Sequence, residues 1–368
     1  MLKVGTRGFS TRLLFLLVLM LGGGVQEVCA DSIPEQRVPI LRKIGKGIAA
    51  VVKEFNNIDT AYVEPQHYNL TVMLQNTNTY EMYRLASKSG QSVTFAPRPS
   101  IKVGPYFGWR WLFLGYTFDL RHVAEDDNKR EFNLSLYSSM VGVDLFYRKA
   151  GGSYRIKNIN LGEDVDTSPM RNTPFSGINV GIKGFNLYYI FNHRKFSYPA
   201  AFSQSTCQRR SCGSFLAGIG YTRHLIKLDH MRLQGLITEK LENPAMELED
   251  DFKFNKVKYK DYSLSGGYAY NYVFAHNWLL AGSLSLALCY KKTYGNIDDK
   301  GFSLREFSFN NVNLNAVGRF GIVWNNTRWY SGMSAIFHSY NYDKKQFRAN
   351  SIFGNINVYV GYNFNRRK

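Results

Sequence analysis

The sequence has few prolines, few charged residues and, beyond its start, no long apolar run. Of 368 residues only 10 are proline and 20% are charged, whereas 15% are aromatic. This balance argues against a disordered chain. After residue 30 no stretch approaches the roughly 18 uncharged apolar residues of a membrane-crossing helix, which excludes such helices there. The 25 Tyr, 26 Phe and 32 Gly suit strands better than long helices, so we predict an all-β fold.

The first thirty residues have the features of a signal peptide. Lys3, Arg7 and Arg12 precede an apolar stretch at 13–21, and Val28-Cys29-Ala30 offers a small-residue cleavage site. Cys29 follows Gln-Glu-Val rather than the residues of a lipidation signal. We therefore predict export and cleavage near Ala30.

A short amphipathic segment follows, at 31–58. Its apolar residues recur at helical spacing, and they are Ile40, Leu41, Ile44, Ile48, Val51, Val52 and Phe55. Lysines and arginines occupy the other face. The segment is interpreted either as a helix on the membrane surface or in the barrel mouth, or as a helix packed on the end of the barrel.

The remainder of the chain alternates with the period of a β-strand. From Trp278 to Tyr290, bulky apolar residues alternate with Ala, Ser and Cys, and from Asn311 to Asn325 they alternate largely with Asn and Arg. A soluble β-sandwich also alternates, but its strands have about five or six residues. Runs of nine to more than fifteen residues favour strands that cross a bilayer, with polar residues facing inward.

Counting such runs predicts an antiparallel transmembrane barrel of about twelve strands. They lie near 68–84, 99–107, 109–121, 132–148, 152–160, 176–193, 213–229, 258–275, 278–294, 303–324, 327–342 and 351–364. Tight and long connections alternate, which would place both termini on the periplasmic side. The long connection at 194–212 is the exception, since it falls on that side too.

Tryptophans cluster near the ends of these strands. Trp109, Trp111, Trp278 and Trp324 are predicted to lie at the membrane interface, where an indole is favoured. The alternative is that they pack in the core of a soluble sheet.

Two runs carry a family resemblance. "DTAYVEPQHYNLTVMLQNTNTYEMYRL" from Asp59 and "FAPRPSIKVGPYFGWRWLFLGYTFDL" from Phe95 resemble the signature blocks of the DUF4421 family, exported proteins of Bacteroidetes. The resemblance implies an outer-membrane β-barrel domain over 59–368, and it brings no catalytic residues. Such a barrel would be inserted by the barrel-assembly machinery.

The formal charge of +18 has two natural explanations in an exported barrel. The cations could face the anionic lipid of the outer membrane, or they could line a cationic lumen. Export and the lack of a recognition motif argue against nucleic acid as a partner. The sequence does not indicate a ligand.

Catalytic and metal-binding patterns are weak. His338 and Ser339 are adjacent and so point to opposite faces of a strand, and His224 and His230 lack a third metal ligand at suitable spacing. The acidic run Glu247–Asp251 favours a solvated loop over a calcium site, because the spacing of an EF-hand is absent. We predict no enzyme, no metal and no cofactor.

The cysteines allow one disulfide. Cys207 and Cys212 are separated by four residues in an oxidising compartment, so a bond between them is one interpretation and two free thiols the other. Cys289 is interpreted as packing.

These features together predict an outer-membrane protein that acts as a pore or in structural and surface interactions. An outer-membrane hydrolase of lipids and a soluble periplasmic binding protein are the alternatives.

Overall fold

The computed structural model describes residues 57–109, 112–115, 118–119, 130–149, 153–243, 246–294, 311–343 and 347–367. The predicted signal peptide and nearly all of the predicted helical segment lie outside these residues. Neither α-helix in them has the length and apolar character needed to cross a membrane.

Strands make up most of the described chain. They are β1 (Val63–Pro65), β2 (Tyr68–Ser87), β3 (Ser92–Pro97), β4 (Ser100–Trp109), β5 (Leu112–Gly115), β6 (Phe118–Asp119), β7 (Arg130–Tyr137), β8 (Val141–Lys149), β9 (Tyr154–Asn160), β10 (Pro174–Phe175), β11 (Ile178–Ile190), β12 (Thr206–Gln208), β13 (Cys212–Leu228), β14 (Lys256–Ala275), β15 (Trp278–Tyr294), β16 (Val312–Asn325), β17 (Trp329–Asp343) and β18 (Phe347–Arg366). Two α-helices, α1 (Tyr198–Phe202) and α2 (His230–Leu241), and 3₁₀ turns at Ser168–Met170 and Asp250–Phe252 complete the set.

Sixteen of the strands form one antiparallel sheet. Its order is β10-β9-β3-β2-β18-β17-β16-β15-β14-β13-β11-β8-β7, with β4 beside the first half of β2 and with β5 and β6 beside β4. The first and last long strands, β2 and β18, are neighbours, with Tyr68 opposite Arg366. β1 and β12 form a separate pair.

The sheet curls around an interior. Arg319 on β16 contacts Asp144 on β8, five positions away in the sheet order. Arg148 on β8 likewise reaches Glu81 on β2, with 3.0 Å between Nη1 and Oε1. Contacts between strands so far apart in the order require the sheet to bend back toward itself. We call the face that carries these contacts the inward face.

The alternation of the long strands sorts residues as predicted. On β15, Leu284, Leu286 and Leu288 are 56%, 47% and 62% exposed on the outward face, while Ala281 and Cys289 are buried on the inward face. The antiparallel all-β prediction is confirmed. An exposed apolar face opposite a buried, mixed face is the reverse of what water imposes on a soluble sheet.

The sheet has two distinct ends. β2 begins and β18 ends at the termini end, where the turns at Asn277 and Thr327 adopt left-handed φ values of 65° and 75°. At the opposite, distal end, residues of β3, β9, β10 and α2 form an apolar cluster that includes Phe95, Ile156 and Leu233. Asp229 begins α2 by accepting a bond from the Arg232 amide at 3.0 Å.

One predicted strand is wrong, and another is a strand with unexpected neighbours. Residues 132–148 are not one strand but the hairpin of β7 and β8, whose turn is held by Ser138 Oγ, which accepts from the Val141 amide at 2.9 Å. Residues 152–160 do form a strand, β9, but it pairs with β3 and β10 at the distal end. The hairpin adds one strand to the predicted order, whereas β9 does not lie between β8 and β11, which pair directly with each other.

Candidate functional site

Ion pairs and aromatic rings occupy the inward face. Asp144 accepts bonds from Arg319 and, at 2.7 Å, from Ser135 Oγ. The Arg319 guanidinium carbon lies 5.0 Å from the centre of the Tyr188 ring and 5.8 Å from that of Tyr198. A buried guanidinium is thus matched by one carboxylate and two ring faces.

A second group of charges joins β2, β4, β7 and β8. Arg148 contacts Glu81 and also Glu131, with 2.5 Å between Nη2 and Oε1. Lys102 approaches the other oxygen of Glu131 at 3.2 Å. These bonds bring together strands that lie on either side of residues 120–129.

A third group lies on β14, β15 and β16. Lys291 Nζ is 3.4 Å from Asp261 Oδ2, which also accepts from Asn315 Nδ2 at 2.8 Å, and Lys291 donates to the Asn341 carbonyl. Both charges are almost fully buried. In all three groups the cations are paired with carboxylates. The described interior therefore does not form the cationic lumen considered from the sequence.

Histidines fill the space between the ion pairs. His338 stacks on Phe353 with 5.0 Å between ring centres, and His224 stacks on Tyr259 at 4.4 Å. Ser339 lies on the opposite face of β17 from His338. No group of His, Cys, Asp or Glu suited to a metal occurs among the described residues.

The long connection at the termini end folds inward. We call residues 191–211 the inner segment; it contains α1 and β12. Ala200 and Ala201 are buried against Leu279, Ala281 and Val323, which are inward residues of β15 and β16. A Cβ added at Gly321 would lie 3.4 Å from the Ala201 carbonyl oxygen, so α1 packs closely on the wall.

Side-chain hydrogen bonds fix the inner segment to several strands. Asn271 Nδ2 donates to the Ser197 carbonyl at 2.8 Å and to Gln208 Oε1 at 3.0 Å. Gln204 Nε2 donates to the Tyr359 hydroxyl at 2.7 Å. The segment therefore occupies the interior near the termini end with specific partners on β14 and β18.

The start of the barrel domain holds the inner segment from the other side. β1 pairs with β12, with Glu64 opposite Cys207. Glu64 accepts bonds from Arg209 and from His67, the latter at 2.8 Å. Partial burial opposes ionisation of Glu64, yet these bonds hold the pKa of its carboxyl below the usual value.

The two neighbouring cysteines are not bonded to each other in the structure. Cys207 lies on β12 with its Sγ 4.0 Å from the Asn325 carbonyl oxygen, whereas Cys212 begins β13 and accepts from Asn192 Nδ2 at 3.1 Å. The two thiols belong to different elements, β12 and β13, and the disulfide between them stays a prediction. Cys289 is buried as predicted, and burial raises the pKa of the Cys207 thiol to about 12.

Tryptophans surround the termini end on the outward face. Trp109 is 57% exposed and Trp278 is 40% exposed, and Trp324 lies opposite Trp278 in the sheet. Trp329, at the start of β17, lies at the same end of the sheet. Only its position at the start of an alternating strand could have indicated from the sequence that it lies there. Trp111 lies outside the described residues. The interface role of these residues stays a prediction.

The acidic run at the distal end is held by the turn between β2 and β3. Asp251 Oδ2 accepts from the Lys88 amide at 2.9 Å, and Gln91 exchanges bonds with the backbone of Glu247 and Glu249. Asp250 pairs with Lys253 at 2.7 Å, and those bonds lower the pKa of the Asp250 carboxyl. The run is therefore folded against the turn between β2 and β3.

Comparison with protein families supplies the identification. Residues 57–364 match the family described as "Domain of unknown function (DUF4421)". The chain belongs to the DUF4421 family. No curated protein matches the sequence.

Several solved structures are similar to this DUF4421 chain. The outer-membrane protease OmpT from Escherichia coli has 8% identity, with 80% of this chain and 97% of that chain covered and a TM-score of 0.31. The translocator domain of the autotransporter NalP from Neisseria meningitidis has 11% identity, with 88% and 95% covered and a TM-score of 0.31. The outer-membrane protein OprG from Pseudomonas aeruginosa has 8% identity, with 82% and 98% covered and a TM-score of 0.22.

Proposed function

We propose that this chain is an outer-membrane β-barrel with an occupied interior, and that it acts in structural or surface interactions rather than as a permanently open pore. The observation that carries this proposal is the pairing of an apolar outward face with an interior filled by ion pairs, rings and the inner segment.

The outward face supports a membrane setting through its layering. Along β14, exposed residues run from Tyr262 through Leu264 to Tyr272 and Phe274. The twelve steps from Tyr262 to Phe274, at about 3.4 Å each and tilted by about 40°, span about 30 Å across a membrane. Aromatic residues bound this band at both ends, as in the girdles of outer-membrane barrels.

The interior supports a closed state. Opening a path through the termini end would separate α1 from β15 and β16 and break the bonds from Asn271 and Gln204. Leaving such buried polar groups without partners costs about 1–3 kcal/mol each. The inner segment is therefore a stable part of the fold.

A non-enzymatic role is part of the proposal. His338 is buried among aromatic rings and faces away from Ser339, so this pair cannot act together on a lipid ester. Export through the predicted signal peptide and insertion by the barrel-assembly machinery complete the proposed route to the outer membrane.

Two measurements test the proposal. The purified full chain should fold into vesicles of neutral lipid and migrate differently on gels with and without heating. In planar bilayers the folded chain should show no steady conductance. A variant in which 195–206 is replaced by a short Gly-Ser linker should conduct.

Controls separate the alternatives. Replacing 162–166 at the distal end by the same linker should leave the bilayer silent. Stable conductance of the unmodified chain would favour the pore. A chain that stays soluble without detergent and shows no heat-dependent migration would contradict the membrane barrel altogether.

A further inference from the structure

Four neighbouring strands carry a cluster of positive charges on the outward face near the distal end. β11, β13, β14 and β15 contain eight lysines and arginines and a single acidic residue, Asp261. Asp261 faces inward and pairs with Lys291. The other seven cations face outward near the distal end, and they are Lys183, Arg223, Lys227, Lys256, Lys258, Lys260 and Lys292.

Strand register places four of these cations in a row. Lys183 lies opposite Arg223, Arg223 opposite Lys260, and Lys260 opposite Lys292. With strands about 4.8 Å apart, the row is about 14 Å long. Like charges directly opposite each other on one face destabilise a sheet, so the placement of Lys183 opposite Arg223 carries an electrostatic cost within the protein itself.

An aromatic row lies directly beneath the cations. Phe185, Tyr221, Tyr262 and Tyr290 are opposite one another in the same register, two residues closer to the middle of the sheet. The next outward row is aliphatic, with Ile219 opposite Leu264 and Leu264 opposite Leu288. Moving toward the distal end, the surface therefore changes from aliphatic to aromatic to cationic.

Three of these cations have the exposure that a binding surface needs. Lys183, Arg223 and Lys258 are exposed and form no ion pair among the described residues. The strands β17 and β18, elsewhere in the sheet, differ from these four. At their distal end Arg348 lies 3.3 Å from Asp343, which Lys88 also contacts. Lys183, Arg223 and Lys258 thus differ from Arg348 in having no carboxylate partner among the described residues.

We propose that this cationic row binds the phosphate groups of a glycolipid in the membrane leaflet at the distal end. The inference rests on the proposed function, since it requires the aromatic row to lie at the membrane boundary. Acyl chains of the same lipid would lie along the aliphatic and aromatic rows, while its phosphates meet the cations just above them. A soluble anion could use the cations but not the apolar rows, and this continuity favours the lipid.

The test uses the full chain folded in neutral detergent. Its probes are lipid A, lipid A with its phosphates removed, and inorganic phosphate, and lipid retained through purification is counted by native mass spectrometry. Phosphorylated lipid should remain bound, the dephosphorylated lipid should be lost, and millimolar inorganic phosphate should not displace the lipid.

Matched variants locate the site. Lys183→Gln with Arg223→Gln should weaken retention about 25-fold, at about fivefold for each charge near an anionic surface. Arg84→Gln with Arg348→Gln removes the same charge from the opposite side and should have little effect. Heat-dependent migration is recorded for every sample, so a variant that fails to fold is recognised.

Each other outcome contradicts the inference in its own way. Equal loss in the two double variants would indicate nonspecific attraction, and equal binding of dephosphorylated lipid would exclude phosphate recognition. Displacement by inorganic phosphate would assign the row to a soluble anion. A chain that folds normally but retains no lipid overturns this inference alone, whereas a chain without a heat-dependent form overturns the proposed function as well.

Discussion

A depth series on β15 tests the membrane setting most directly. Leu284, Leu286 and Leu288 share the outward face, and their exposures of 56%, 47% and 62% differ little. Their positions across the proposed membrane do differ. The apolar band on this strand runs from Trp278 to Tyr290, so Leu284 lies at its midpoint and Leu288 lies two residues from its edge.

Arginine at each position should therefore have graded effects. A guanidinium at the bilayer midplane of a barrel costs about 2–4 kcal/mol, and near the interface about 0–1 kcal/mol. Leu284→Arg should reduce the folding equilibrium constant about 30- to 900-fold, Leu286→Arg less, and Leu288→Arg by about fivefold or less. The measurement is urea titration of folding into neutral vesicles, followed by heat-dependent migration.

The soluble alternative predicts a different pattern. Exposed leucines in water would tolerate arginine within about 0.5 kcal/mol at every position. Equal costs along the series, or a larger cost at Leu288 than at Leu284, would refute the reasoning from the layered outward face.

Two further predictions concern the interior. Asp144→Asn should lower the free energy of unfolding by about 3–5 kcal/mol, because Arg319 stays buried without its counter-charge. Asp144→Leu combined with Arg319→Met should recover most of that loss. The midpoints of urea unfolding measure both effects, and equal losses in the two variants would contradict the pairing. Iodoacetamide at pH 8 should modify Cys212 before unfolding and Cys207 only after it, since burial raises the pKa of the Cys207 thiol to about 12. Peptide mass spectrometry measures both, and a Cys207–Cys212 peptide in protein from the cell envelope would show that the thiols pair after all.

Local pattern was enough to predict the long strands and the direction of their faces. Apolar and polar residues alternate at period two along the long strands, and burial follows that alternation: Leu284 on β15 is exposed and Asn315 on β16 is buried. The hairpin at 138–140 could not be predicted in this way, because Ser-Ser-Met contains no Gly, Pro or Asn to mark a turn and both of its arms alternate.

Pairing across the interior could not be predicted in the same way. Asp144 and Arg319 are 175 residues apart, and their contact depends on how far the sheet curls. The sequence marks the inner segment only as a long connection on an unexpected side, because nothing in 194–212 indicates whether it turns inward or outward. The proposed cationic row depends on the register between strands, because a slip of one residue would move its cations to different faces of the sheet.

The pairing of β2 with β18 has a consequence for biogenesis. β2 is made first among the long strands and β18 last, so the edge of β2 that β18 covers has no partner until almost the whole chain has arrived. An uncovered strand edge of this length readily pairs with other chains. A chain truncated before β18 should therefore leave that edge of β2 unpaired and aggregate, and the twenty residues of β18 complete the pairing of the long strands.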